Sequence, residues 1–135
     1  MLPFLAVGFM TLDSAWAVFV RATLQHAVRE GVRYGVTGQT SGNNGQIASI
    51  EAVVVSQAMG LLSGNQADTL SVTFLNPGTL TSTTSNNGGN IVQVSVTGYQ
   101  IAPLAPLLRS STALTVSVTA ADVIEGSPNG IPPTP

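Results

Sequence analysis

The chain has 135 residues, enough for one domain with a core of ordinary size. Only 7% of them are charged, none is lysine and 44% are hydrophobic, against about 25% charged in a typical soluble domain, and this excludes a chain kept disordered by charge. A net charge of −2 gives no sign of the basic character that a nucleic-acid partner demands, and zero cysteines exclude disulfides, cysteine-based zinc sites and a cysteine nucleophile.

Residues 1–37 read as one long helix (about 3–37) in two halves. The first half, to Val20, is nearly all apolar, with Asp13 its only charge. Pro3 is tolerated at a helix start, where its missing N–H has no partner to lose. From Pro3 to Val20 the helix spans about 27 Å at roughly 1.5 Å per residue, close to the hydrocarbon core of a bilayer at about 30 Å. A signal peptide ending at Ser14-Ala15-Trp16-Ala17 is the competing reading. No basic stretch precedes the apolar run, and Asp13 interrupts it. The expectation is therefore a retained segment whose leader was removed, or one internal to a longer precursor.

Leu2, Phe4, Leu5, Phe9, Met10, Leu12, Trp16 and Phe19 offer large apolar contact surfaces on this segment, and Ala6, Gly8, Ala15 and Ala17 allow neighbouring helices to approach closely. Asp13 is the sharpest candidate. A carboxylate in a low-dielectric setting has to be paired or protonated. Arg21 of the same helix is about 12 Å away along the axis, so the expected partner is Arg21 or the Met1 amine of a neighbouring copy. The competing reading is a solvated position or a local helix irregularity.

From Val20 the pattern becomes amphipathic. Val20, Leu24, Ala27, Val28, Gly31 and Gly35 share one face; Arg21, Gln25, Arg29 and Arg33 share another. His26 and Glu30 are four residues apart, a spacing that can hold a metal, but no second histidine or acid cluster accompanies them, so a surface pair is the default. Thr37-Gly38 and the polar turn after it end the helix. Residues 46–62 read as a second helix, capped by Asn43 or Asn44, with Ile47, Ile50, Val54, Ala58 and Leu61 facing inward and Ser63-Gly64-Asn65 as its stop.

The period then changes to two. Alternation over about 69–75, 91–98 and 113–123 predicts three antiparallel strands, one face covered and one polar. Their apolar face is expected against the second half of the first helix, with the second helix covering the remainder. A low-complexity loop, 76–90, joins the first two strands, and its Thr79–Ser85 stretch could carry O-glycans. The segment 99–112 is expected as a packed crossover, and 127–135 is a Pro-rich extended tail. The resulting α+β organisation has a stalk (1–20), a head (21–126) that includes the second half of the first helix, and the tail (127–135).

No Gly-x-Ser-x-Gly elbow or phosphate-binding glycine loop is present. No catalytic residue, cofactor or metal is expected. Five of the seven aromatics lie between Phe4 and Tyr34, and helix packing accounts for them.

The run Thr23-Leu24-Gln25-His26-Ala27-Val28-Arg29-Glu30-Gly31-Val32-Arg33-Tyr34, with Leu2-Pro3 and Asp13 before it, strongly resembles the TadE/TadG-like family of tight-adherence pilus proteins. That family pairs a Leu-Pro apolar run with an acid about ten positions later and an Ala-Arg-Glu-Gly-Ala-Arg-Tyr-like helix. The resemblance covers the first helix and is looser in the head. It implies a pilin-like lollipop fold, inserted in the inner membrane before assembly, served by pilus assembly machinery and bound to copies of itself through the first helix. Family members carry a basic leader and a Glu ahead of Leu-Pro; this chain starts at Met1, so no processing site is carried over. The implied role is a structural subunit of an extracellular filament. A membrane-anchored minor pseudopilin or assembly factor, and an adhesin using loops 76–90 and 99–112, are the alternatives.

Overall fold

The computed structural model describes residues 1–102, 113–127 and 130–135, with Leu2 described by its backbone alone. Helix α1 runs Leu2–Val36 and helix α2 runs Gln46–Gln57; a 3-10 turn at Gly64–Thr69 leads into strand β1, Leu70–Leu75. Strands β2 (Ser82–Thr83), β3 (Ile91–Ile101) and β4 (Leu114–Val123) complete a four-stranded sheet of order β2-β1-β3-β4, antiparallel throughout. Both helices lie on one face of it. The upper half of α1 crosses β3 and β4, while α2 fills the space between α1 and β1.

The core joins the two sequence periods. Val20, Leu24, Ala27, Val28 and Val32 of α1 meet Ile50 and Val54 of α2 and Val92, Val94 and Val96 of β3, all buried. Gly31 and Gly35 set how near the helices come. A Cβ on Gly31 would overlap the Val54 Cγ2 methyl, and one on Gly35 would sit 2.8 Å from Ile50 Cδ1 and 3.2 Å from Val92 Cγ2. Only glycine lets the backbones close to this distance.

The top of α2 is closed by a buried polar knot. Its N-cap is Gly45, not Asn43 or Asn44, and no side chain caps it. The first free amide, Gln46 N–H, donates instead to the Thr134 carbonyl at 2.8 Å, so the tail supplies an acceptor that a helix N-terminus requires. The Gln46 Nε2 donates to Gly35 O (2.9 Å), and Asn86 Nδ2 donates both to Gln46 Oε1 (2.6 Å) and to Pro133 O (2.7 Å). Gln46 and Asn86 are buried. The Pro-rich tail thus rests on the junction of α1 and α2, stapled through one residue of the 76–90 loop.

The sheet, the second helix and the third strand differ from the sequence expectation. The sheet has four strands rather than three, because Ser82–Thr83 pair with Leu75 and Phe74; two residues are too few to show an alternation. The second helix stops at Gln57 instead of 62. Met59 (φ 53°) and Gly60 (φ 81°) turn the chain there, and Ser63-Gly64-Asn65 opens the 3-10 turn. Strand β3 does not end at 98. The register passes from Val96↔Val118 to Tyr99↔Val116, so Thr97-Gly98 form a bulge with Gly98 at φ 73°. That bulge shifts the alternation by one, which turns Tyr99 and Ile101 inward where strict alternation would have placed Gly98 and Gln100. Of the expected 99–112 crossover, 99–101 are strand, and its remainder from 103 to 112 lies outside the described residues.

Two outcomes test this packing. Asn86→Ala removes the donor shared by Gln46 and the tail, leaving buried acceptors short of a partner. It should lower unfolding free energy by about 1–3 kcal/mol and accelerate hydrogen exchange at the Gln46 amide. Burial raises the Tyr99 hydroxyl pKa above its ordinary value. The folded state therefore holds that proton longer than the unfolded chain does. The stability it contributes is complete below about pH 10 and is lost as pH climbs through the folded-state value. Tyr99→Phe should flatten the alkaline limb of a stability-versus-pH curve.

Candidate functional site

The surface that sets this molecule apart is the lower half of α1. The helix continues without a break from the head into residues 2–19, and there the chain covers almost none of it. Phe4 is 83% exposed, Met10 63% and Leu12 57%, with Leu5, Val7, Phe9, Val18 and Phe19 also open. By length and composition this is a helix able to cross a membrane. Folding alone would leave such a face in water, where each large apolar side chain forgoes about 1.5–3 kcal/mol of burial.

The polar groups on the stalk are largely turned back on the helix. Thr11 Oγ1 donates to Gly8 O at 2.6 Å and Ser14 Oγ to Met10 O at 2.8 Å. Both hydroxyls therefore satisfy themselves within the helix, as a segment leaving water requires. Around Gly8 the helix surface dips. Phe4, Leu5, Phe9 and Leu12 rim a shallow notch of about 200 Å³ whose floor is the glycine backbone. A Cβ on Gly8 would meet nothing within 4 Å, so this glycine is not explained by packing inside the chain.

The expected contact residues separate into two groups. Phe4, Leu5, Phe9, Met10 and Leu12 lie on the open shaft of α1, and Leu2 is the helix's first residue. Asp13 and Trp16 are half-buried, and Trp16 with Ala17 packs against the lower edge of the core. Trp16 also stacks on Phe19, ring centroids 5.5 Å apart and planes inclined by 23°. Asp13 falls on the helical line that continues through Ala17, Val20, Leu24 and Gly31, the face that becomes core farther up. Arg21 is exposed just above the stacked pair.

Among the described residues no group of three or more His, Asp or Glu side chains stands together to hold a metal. His26 is exposed and Glu30 half-buried on the outer side of α1. A shallow groove between α1 and β4 is lined by Gln25, Arg29, Arg33 and Asp122, among others, and opens broadly to solvent.

Reading by residue type alone overlooks Gln46 and Asn86, because glutamine in a helix start and asparagine in an Asn/Gly loop carry no mark of burial. It also overlooks Val55 on the outward face of α2 and Met59 just beyond that helix's end, both open to solvent. No family model, curated protein or solved structure matches the chain.

The head core begins at Val20, so the stalk should be dispensable for folding. Removing residues 1–13 should leave a water-soluble head with cooperative thermal unfolding, whereas the full chain should require detergent, a membrane or a polymer. Calorimetry and sedimentation of the two forms check this.

Proposed function

We propose that this protein is a pilin-like structural subunit of an extracellular filament, held in a membrane by residues 2–20 before assembly and buried among the same segments of other copies afterwards. The observation that carries this reading is one uninterrupted helix that is core in its upper half and uncovered apolar surface in its lower half. A bilayer can cover the lower half at first, since its reach is about 27 Å. A bundle of identical helices can cover it later, with Gly8 and its rim receiving a neighbour's side chain.

The energetics favour such a bundle. Burying of order 1,000 Å² of apolar surface per copy at about 25 cal/mol/Å² corresponds to tens of kcal/mol before ordering costs. In the bundle, Arg21 of an adjacent copy offers Asp13 a counter-charge. The sparse charge and hydroxyl-rich surface of the head suit an outward-facing coat. The resemblance of residues 1–37 to the TadE/TadG-like pilus proteins points the same way.

A membrane-anchored assembly factor is the second reading, supported by the inward-turned hydroxyls of Thr11 and Ser14. Filaments sheared from cells and viewed by electron microscopy separate the two. The filament reading expects this chain as their principal component. Recovery only with detergent, at a few copies per assembly machine, would favour the anchored factor. Phe4→Ser with Leu5→Ser should leave the head's melting temperature unchanged while abolishing polymer formation.

A further inference from the structure

Gly45 is the N-cap of α2 at φ −64° and ψ 167°, a conformation open to any residue. Ser, Asp or Asn there would hand the helix a side-chain acceptor, and this chain forgoes it. The reason is the tail. A Cβ on Gly45 would overlap the Pro135 carbonyl. With that space left open, Gln46 N–H donates to Thr134 O at 2.8 Å and Asn86 Nδ2 donates to Pro133 O at 2.7 Å. Two donors from separate loops thus meet two successive carbonyls of one extended strand.

The donors are held in place without the tail's help. Gln46 Nε2 is fixed on Gly35 O at 2.9 Å, and Asn86 spends its other amide proton on Gln46 Oε1 at 2.6 Å. Gly45 O accepts from Ser49 Oγ at 2.8 Å, and Ser49 Oγ in turn accepts from Ser41 N–H at 3.0 Å. Gln46 is fully buried and Asn86 is 4% exposed, so the Asn86 proton aimed at the tail has its acceptor there. A frame fixed in this way loses little freedom when a ligand seats.

The tail, by contrast, is held mainly by those bonds. Ile131 is 76% exposed, and Thr134 and Pro135 are open to solvent. The fixed part of the head ends just before it, where Ile124 is buried and Glu125 N–H donates to Val36 O at 3.0 Å. The linker Gly126-Ser127-Pro128-Asn129-Gly130 follows. A segment with few buried side chains opens at far less cost than the whole fold. Its chemistry matches the frame. In Pro132-Pro133-Thr134-Pro135 only Thr134 carries a backbone N–H, so the strand presents acceptors to a site made of donors. Ile131, Pro132 and Thr134 each precede a proline, which biases them to the extended form before binding.

We propose that the Gly45–Gln46–Asn86 frame is a binding site for an extended proline-rich segment, and that residues 131–135 are its detachable ligand. The site stands whether or not the chain polymerises. One ligand chemistry has two sources, the chain's own tail and the same residues of a second copy.

Binding of a separate peptide tests the site, with the chain in detergent. A chain ending at Gly130 should take up the synthetic peptide Gly-Ile-Pro-Pro-Thr-Pro saturably, the Gln46 backbone amide and the Asn86 side-chain amide resonances shifting together. A folded chain in which millimolar peptide moves neither resonance overturns the site. If the shortened chain folds only with peptide present, the site holds; if it stays unfolded with peptide, the site is overturned. Gly45→Ser in the shortened chain gives α2 its own cap and fills the space of the Pro135 carbonyl. It should keep or raise the melting temperature while weakening peptide binding about tenfold or more; unchanged affinity overturns the proposal. The source is read in the full-length chain, which has no native cysteine, from a spin label on Ile131→Cys. Broadening of the Gln46 amide only when spin label and isotope share a chain is the expected result in micelles, since a short linker holds the tail at millimolar effective concentration. Broadening in isotope-labelled chains mixed with spin-labelled ones assigns the ligand to a second copy. Broadening in neither arrangement puts residues 131–135 away from the site and overturns the proposal.

Discussion

The close approach of α1 and α2 at Gly31 and Gly35 is the constraint on which the remaining structure depends. With no side chain at either position, Val54 and Ile50 sit directly on the α1 backbone. That contact fixes how deep α2 lies, and therefore where its first turn ends. It brings Gln46 to Gly35 O, and Gln46 in turn gathers Asn86 and the tail carbonyls of Pro133 and Thr134. A bulkier residue at Gly31 would have to push α2 outward, and overpacking of this kind costs about 1–3 kcal/mol. The knot would loosen with it, because hydrogen bonds near 2.8 Å do not survive a shift of an ångström.

The head's interior is consequently closed on its polar side. Among the described residues, every buried side-chain polar atom has a partner. The stalk is the opposite case. It is helical because its local hydrogen bonds are complete, yet its side chains find no cover in the chain. The boundary between the two regimes falls at Trp16–Val20, where Trp16 and Ala17 lean on the core and Phe19 stacks on Trp16 while staying exposed. Because α1 passes through that boundary unbroken, anything that grips the stalk is rigidly joined to the head, and the head's orientation follows from the stalk's environment.

Much of this division can be read in the residues themselves. An apolar run followed by Val20, Leu24, Ala27, Val28, Gly31 and Gly35 at three- and four-residue spacing specifies a helix with two environments. Alternation at Leu70–Phe74, Val92–Val96 and Leu114–Val118 specifies strands with one covered face. These are local periodicities, and geometry of the backbone converts them into faces without help from distant residues. The stalk residues from Phe4 to Leu12 are identified the same way, by apolar character sustained over a membrane-sized length.

Other features had no local signature. The bulge at Thr97-Gly98 is a register event between two strands, so which of Gly98 or Tyr99 faces inward depended on β4 and not on β3 alone. Asn86 is one of several asparagines in a polar loop, and only the fold selects it by bringing Gln46 and Pro133 to it. The stop at Met59-Gly60 and the cap at Gly45 likewise depended on where α2 packs and where the tail lies. The sequence by itself determined the elements, their faces and the unbroken passage from stalk to head, because these follow from the spacing of side chains along one backbone. Only the tertiary structure decided how closely the helices meet, which polar groups are buried and which apolar side chains remain uncovered, because those properties belong to pairs of residues distant in the chain.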